Sequence, residues 1–166
     1  GNASSVHSFG LQARDALERS REKIAGLFSA QPEEIYFTSG GTESDNWAIN
    51  GAAANFSGGR IITSQVEHSA VLSTCKALER QGFDVIYLPV DSYGMVDINA
   101  LRYALNRNTV LVSIMTANNE VGTIEPIESI GRIVKSHSRA LFHTDAVQAA
   151  GAVDKTLFKL PCVDMF

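Results

Sequence analysis

Two adjacent glycines separate a short apolar run from a segment of helical composition: Phe37-Thr38-Ser39-Gly40-Gly41-Thr42-Glu43-Ser44-Asp45-Asn46. That order can build an anion site. The first turn of a helix has backbone N–H groups without partners inside the helix, and they point at whatever precedes it. The helix dipole adds partial positive charge there. Glycine has no Cβ, so a phosphate can come close to the backbone. Thr42 adds a hydroxyl and is a candidate N-cap. The same order also caps helices that bind nothing, so this segment alone does not choose between a phosphate cradle and a structural turn.

Other polar groups stand just after apolar runs that read as strands. His68 follows 60–64, Asn118 and Asn119 follow 109–115, Asp145 ends 140–145, and Gln148 comes shortly after it. In open α/β sheets, ligands bind beyond the carboxyl ends of the strands. Parallel strands would therefore bring these groups to one rim. A phosphate cradle, an imidazole, amides and one carboxylate suit a phosphorylated aromatic cofactor with a basic ring nitrogen. Each residue also has a structural use. His68 could cap a helix, Asn118-Asn119 could be turn chemistry, and Asp145 could cap or pair. His143 and Asp145, two apart on a strand, share a face and could ligate a metal, but no further ligands stand at metal-site spacing.

The elements that must position these groups follow from periodicity and breakers. A helix is expected over 8–29, with Ala13, Leu17, Ile24, Leu27 and Phe28 on one face and Gln31-Pro32 ending it. Strands are expected at 34–38 (with Ile35-Tyr36-Phe37 buried), 60–64, 84–90, 109–115 and 140–145, and a last one at 163–166. Helices are expected at 43–54, 69–80, 97–106 and 127–136, and 156–160 reads as weakly amphipathic. Pro89 cannot donate to a ladder, so the run 84–90 should lie at an edge or end there. The run 109–115 is apolar nearly throughout, as in a strand with both faces covered. Regular alternation of strand and helix argues for an α/β domain with a mostly parallel sheet and helices on both faces.

The 166 residues are enough for one domain with a sizeable core. A net charge of −4 argues against nucleic acid or an anionic membrane as a direct partner. No apolar run approaches the ~20 residues that cross a bilayer. The start, Gly1-Asn2-Ala3-Ser4-Ser5, has no signal-peptide character and no initiator Met, so the chain reads as processed or as part of a longer one. The 2 cysteines, Cys75 and Cys162, are far apart, which suits a reducing, cytoplasmic compartment and a place in the core.

Several motifs in sequence order resemble one family. They are Gly1 to His7, Phe37 to Asn46, Glu67-His68, Leu88-Pro89-Val90-Asp91, Ala117 to Gly122 and Phe142 to Gln148. Together they are similar to the class V aminotransferase family of pyridoxal-phosphate enzymes, and within it to cysteine desulfurases of the NifS/IscS type. The family uses Pro where Ala3 stands, and commonly His near Thr116. The resemblance implies the large domain of a fold-type I enzyme. It implies that Gly41 and Thr42 hold the cofactor phosphate and that His68 stacks on the pyridine ring and serves catalysis. Asn119 would lie near the phenolic oxygen and the substrate carboxylate. Asp145 would pair with the protonated ring nitrogen, and Gln148 would bond the phenolic oxygen. No metal is implied.

The implied reaction converts L-cysteine to alanine and leaves the sulfur as a persulfide on an enzyme cysteine, for iron–sulfur cluster or thio-cofactor synthesis. The implied partners are a sulfur-acceptor or scaffold protein and a second copy in a homodimer. Other class V activities, such as selenocysteine lyase or aminotransferase, and a non-catalytic fold or interaction fragment, remain alternatives. The Schiff-base lysine of the family sits in a Ser-His-Lys-containing motif expected beyond Phe166, and the nucleophilic cysteine on a mobile loop further on. Lys23, Lys76, Lys135, Lys155 and Lys159 lack that context and read as solvated. Residues 1–166 are thus expected to be the central part of the large domain, without its opening segment, lysine motif and small domain, and inactive as they stand.

Overall fold

A computed structural model describes residues 1–154, 156 and 159–166. Lys155 and part of the expected amphipathic stretch 156–160 lie outside the described residues. The chain divides into two compact units, 1–37 and 38–166.

The first unit is one long helix and a turn. Helix α1 (Ser8–Phe28) is capped by His7, whose Nδ1 accepts the Gly10 N–H at 3.2 Å. It buries only Gly10 and Ala25, and Leu17 and Leu27 of the expected apolar face are exposed. So short a unit has little core of its own to bury them in. The strand expected at 34–38 is absent. Pro32–Glu34 forms a single 3-10 turn, with Glu34 accepting the Gln31 N–H at 2.7 Å, and no ladder follows. Proline at its start and this side-chain cap turn the chain where extension was expected. Tyr36 and Phe37 are exposed, not buried; Arg21 lies over the Phe37 ring, 5.0 Å from its centroid.

The second unit is an α/β layer structure. Strands β1 (Arg60–Ser64), β2 (Asp84–Leu88), β3 (Thr109–Ser113) and β4 (Leu141–His143) form a 4-stranded sheet in the order β2-β1-β3-β4. Every pairing is parallel. β2 is an edge strand and stops before Pro89, as the missing N–H requires. The strand expected at 163–166 reduces to one parallel bridge from Met165 to His143.

Side chains alternate across this sheet, and helices cover both sides. Ile61, Val85 and Leu111 pack with α2 (Gly41–Ala53) and α3 (Ser69–Arg80). Ile62, Val112 and Phe142 pack with α4 (Ile98–Ala104) and α5 (Ile127–His137). The helices present the stripes their sequences encode: Val71, Cys75 and Leu78 on α3, and Ile127, Ile130 and Val134 on α5. At Gly131 a Cβ would stand 2.5 Å from Cys162 Sγ and 3.1 Å from Phe142 Cδ1, so α5 can lie this close only with glycine there. Both cysteines are buried free thiols.

Candidate functional site

The strand order places a topological switch point between β1 and β3: the chain leaves β1 toward β2 and leaves β3 toward β4. A crevice is expected at the carboxyl ends of those strands. A small cleft of about 210 Å³ lies there, lined by Gly41, Thr42, Asp45, His68, Met115, Asn119, Asp145, Val147 and Gln148. Every residue expected to bind the cofactor therefore reaches one cavity.

Helix α2 supplies one wall. Its N-cap position is Gly40, so Thr42 lies inside the first turn and is not the cap. The first backbone bonds of the helix come from Glu43 and Ser44 N–H to Gly40 O, at 3.1 Å each. The N–H groups of Gly41 and Thr42 precede those bonds and are the ones a helix end leaves for an anion. Glu43 folds back to accept from Ser39 N–H and Oγ, each at 2.6 Å, which holds the turn and keeps its carboxyl below the usual range. A Cβ on Gly41 would come 2.8 Å from Val147 Cγ2, whereas one on Gly40 would meet nothing within 4 Å. Glycine at position 41 thus keeps the helix end open toward the cleft.

The loop after β1 supplies His68, which caps a helix and also lines the cleft. Its Nδ1 accepts the Ala70 N–H at 3.2 Å and caps α3, which leaves the proton on Nε2 when the ring is neutral. The ring itself is exposed and faces the cleft. Behind it, Glu67 is buried. Its Oε1 accepts from Ser64 Oγ at 2.6 Å and from Met115 N–H at 3.0 Å, tying the end of β1 to the end of β3. Its Oε2 has no partner among the described residues. Burial pushes the Glu67 carboxyl up to about 8, so it is mostly a neutral acid at pH 7.

The two asparagines part company. Asn118 is buried; its Nδ2 donates to Val66 O at 3.0 Å, and its Oδ1 accepts the N–H groups of Glu120 and Val121 at 2.9 Å. It is the turn residue, while Asn119 is exposed and lines the cleft. Asp145 is held from both sides: its backbone oxygen accepts from Thr116 N–H at 2.8 Å, and its Oδ1 accepts from Val147 N–H at 2.9 Å. One carboxylate oxygen is thereby spent on fixing the side chain, and the other is available to a ligand.

His143 and Asp145 do not converge on a metal. His143 Nδ1 lies 2.9 Å from Ser113 Oγ and its Nε2 3.7 Å from Asp45 Oδ1. Among the described residues no group of three or more His, Cys, Asp or Glu side chains is placed to hold a metal ion. Burial pushes the His143 imidazole down to about 4. Among the described residues no lysine lines the cleft. Lys135, expected in solvent, instead bonds Ala140 O and pairs with Asp164. A second depression, about 370 Å³, lies over the loop from Pro89 to Ile98. Its carboxylates are occupied: Asp91 Oδ1 accepts from Tyr93 and Met95, and Asp97 Oδ1 from Asn99 and Ala100.

Asp45, Met115 and Val147 were not singled out in the sequence. Asp45 did carry a signal, since it stands one helical turn beyond Gly41 and Thr42 and must share their face. Met115 and Val147 carried none; apolar residues at a strand end and in a loop look like core.

Comparison with known proteins agrees with this geometry. The family model of class-V aminotransferases matches residues 1–165. A cysteine desulfurase IscS from Methanosarcina thermophila is 56% identical over 162 residues, covering 96% of this chain and 40% of that protein. A solved NifS-like protein superposes with a TM-score of 0.95 at 47% identity, over 99% of this chain and 46% of that one. A structure described as SspA in complex with cysteine gives 0.83 at 42% identity, over 87% and 42%. The chain thus spans about 40% of the length of the curated relatives it matches. With the parallel sheet, the switch-point cleft and these matches in agreement, the chain belongs to the class-V aminotransferase family.

Proposed function

We propose that residues 1–166 form the cofactor-binding part of the large domain of a pyridoxal-phosphate-dependent cysteine desulfurase. One observation carries this reading: an open helix end, an exposed imidazole and a fixed carboxylate line one small cleft at the switch point. The donor set fits the cofactor. The N–H groups of Gly41 and Thr42 with the Thr42 hydroxyl suit a phosphate, the His68 ring suits stacking, and Asp145 suits a pyridinium nitrogen. Asn119 and Gln148 supply amides for a phenolic oxygen and a substrate carboxylate. When bound, pyridoxal phosphate supplies an electron sink that weakens bonds in the attached amino acid.

The chain's own residues then hold and orient. Asp145 favours a protonated ring nitrogen, because an opposite charge beside it stabilises the charged form. His68 Nε2–H is the mobile proton on the open side of the cleft, since Nδ1 is committed to the α3 cap. Glu67 and Asn118 fix the loops that carry His68 and Asn119. The amine that would carry the cofactor and the thiolate that would take the sulfur belong, in this proposal, to residues beyond these 166; among the described residues no lysine lines the cleft, and both cysteines are buried. Burial drives the Cys75 thiol up to about 12, so it is no nucleophile.

Cysteine as substrate rests on the desulfurase relatives and on the neighbour described with cysteine. A cytoplasmic setting, a homodimer, a sulfur-accepting protein partner and a part in iron–sulfur cluster synthesis belong to the same proposal. Two free buried thiols support the reducing compartment. Among the described residues no helix is long and apolar enough to cross a membrane.

The test mixes the purified chain, and separately a version extended through the expected Ser-His-Lys motif and small domain, with pyridoxal phosphate and cysteine. The extended protein should release sulfide in the presence of reductant, and borohydride should fix the cofactor to one lysine. The 166-residue chain should do neither above the free-cofactor control. Single-site trapping and sulfide release by the short chain would overturn the assignment of the machinery.

A further inference from the structure

Asp45 has no role in the proposal above, yet it stands in the same cleft. It follows Gly41 and Thr42 by one turn on the face of α2 that lines the cavity, and its side chain is 5% exposed. A buried carboxylate needs a cation or a set of donors. Among the described residues the basic group paired nearest to it is His143, with Nε2 at 3.7 Å, beyond hydrogen-bond distance. That ring is itself buried and tied to Ser113 Oγ, and burial keeps it neutral.

Among the described residues, the other groups around Asp45 supply no compensating charge. Asp145, on the loop after β4, repels it. Glu67, on the loop after β1, is mostly a neutral acid at pH 7 and offers no positive charge. His68, at the start of α3, is exposed on the open side of the cleft. Burial and the Asp145 charge push the Asp45 carboxyl up to about 7. Two carboxyl groups crowded into a site without a cation take one proton between them.

We propose that Asp45 is the proton-holding partner of Asp145: it keeps a proton while the cleft is free and releases it to solvent when a cationic ring nitrogen settles on Asp145. The inference rests on the pyridoxal-phosphate reading of the cleft. Its chemistry balances as a single ionisation, from carboxylic acid to carboxylate plus a proton taken up by buffer. Around the ring nitrogen, apart from the phosphate at the α2 end, net charge is conserved: the free site holds one carboxylate, and the occupied site holds two carboxylates and one pyridinium. Asp45 is a positioning residue, acting on the ring nitrogen only through Asp145.

The test counts protons. Pyridoxine 5′-phosphate carries an alcohol in place of the aldehyde, so it cannot bond to an amine. It is titrated calorimetrically into the chain at pH 6.5 in two buffers of different ionisation enthalpy, for wild type and Asp45→Asn. Protons from the ligand's own phosphate and ring are common to both proteins. Wild type should release roughly 0.5–0.8 proton more than Asp45→Asn, and the excess should vanish at pH 8.5, where Asp45 has already ionised. If Asp45→Asn does not fold, the Asp45 carboxyl carbon of the wild type is followed by NMR. Its titration midpoint should fall by about one unit or more when the probe is saturating. Equal proton counts, or an unmoved midpoint, would overturn the inference while the cofactor reading stands. No binding of the probe to wild type would overturn both.

Discussion

The two faces of the sheet are built from alternate residues of the same strands, yet they differ in chemistry. The face under α4 and α5 is apolar from Ile62 and Val112 through Leu88 and Ile114. The face under α2 and α3 begins apolar with Ile61, Val85 and Leu111 and turns polar toward the strand ends, at Thr63, Ser113 and His143. Asp45 and Thr74 descend from its helices. Buried polar groups cost stability unless paired, and here Glu67 Oε2 and Tyr87 OH lack partners among the described residues. The difference teaches a division of labour. One face supplies hydrophobic stability, and the other uses part of it to hold charges behind the cleft.

The sharpest way to break that comparison is to hollow out the apolar face. Phe142 is fully buried. Phe142→Ala should cost roughly 3–5 kcal/mol in urea unfolding. Affinity for pyridoxine 5′-phosphate in the folded fraction should change little. A loss of affinity as large as the loss of stability would mean that the faces do not divide the work.

Next in size is the pH dependence held by the polar face. The folded Glu67 carboxyl is raised to about 8 from its ordinary 4.5, so its contribution is fully present below the ordinary value and is lost as pH rises through about 8. Asp45 acts with the same sign up to about 7. His143, lowered to about 4, has the opposite sign: its contribution is present above 6.5 and lost as pH falls through about 4. Glu67→Gln keeps the shape and the acceptor but cannot ionise. Unfolding free energy followed from pH 5 to 9 should fall by on the order of 3–4 kcal/mol more in wild type than in Glu67→Gln. Parallel profiles would show that Glu67 does not titrate in this range.

How much of this was legible beforehand depends on what kind of signal each residue gave. The α3 stripe of Val71, Cys75 and Leu78, the edge position of the strand before Pro89, and the gathering of Gly41, His68, Asn119 and Asp145 could all be read. Each follows from local period or from position after a strand. The run Ile35-Tyr36-Phe37 could not, because a strand exists only with a partner ladder, and no sequence pattern names the partner. Met165 failed for the same reason and formed a single bridge. Asn118 and Asn119 are the same residue type side by side, and only burial separates the brace from the cleft residue. Glu67 gave no sign of burial, since its place depends on the meeting of Ser64 and Met115 from strands far apart in sequence.

A smaller effect is expected at the carboxylate itself. Asp145→Ala should weaken pyridoxine 5′-phosphate binding by about 1.5–3 kcal/mol, the loss of a charge-assisted hydrogen bond. Inorganic phosphate, which needs only the α2 end, should compete as before. In a complete enzyme the same change should reduce turnover more than cofactor binding. Unchanged affinity and turnover would remove Asp145 from the site.

Smallest of all is the pair at the helix start. Gly41→Ala must push Val147 aside and crowd the open helix end, and it should weaken phosphate-bearing ligands several-fold with stability changed by less than about 1 kcal/mol. Gly40→Ala points into open space and should leave affinity near wild type. Equal effects of the two changes on affinity would mean that the helix end is not where the phosphate sits.

The most direct measurement maps the ligand. Backbone amide NMR of the 166-residue chain, titrated with pyridoxine 5′-phosphate, reports where the ligand touches. The predicted shifts centre on Gly41 and Thr42, then His68, Asn119, Asp145 and Gln148, with the amides of the loop from Pro89 to Ile98 unmoved. Shifts confined to that loop, or saturation without movement at Gly41 and Thr42, would contradict the placement of the cofactor at the switch-point cleft.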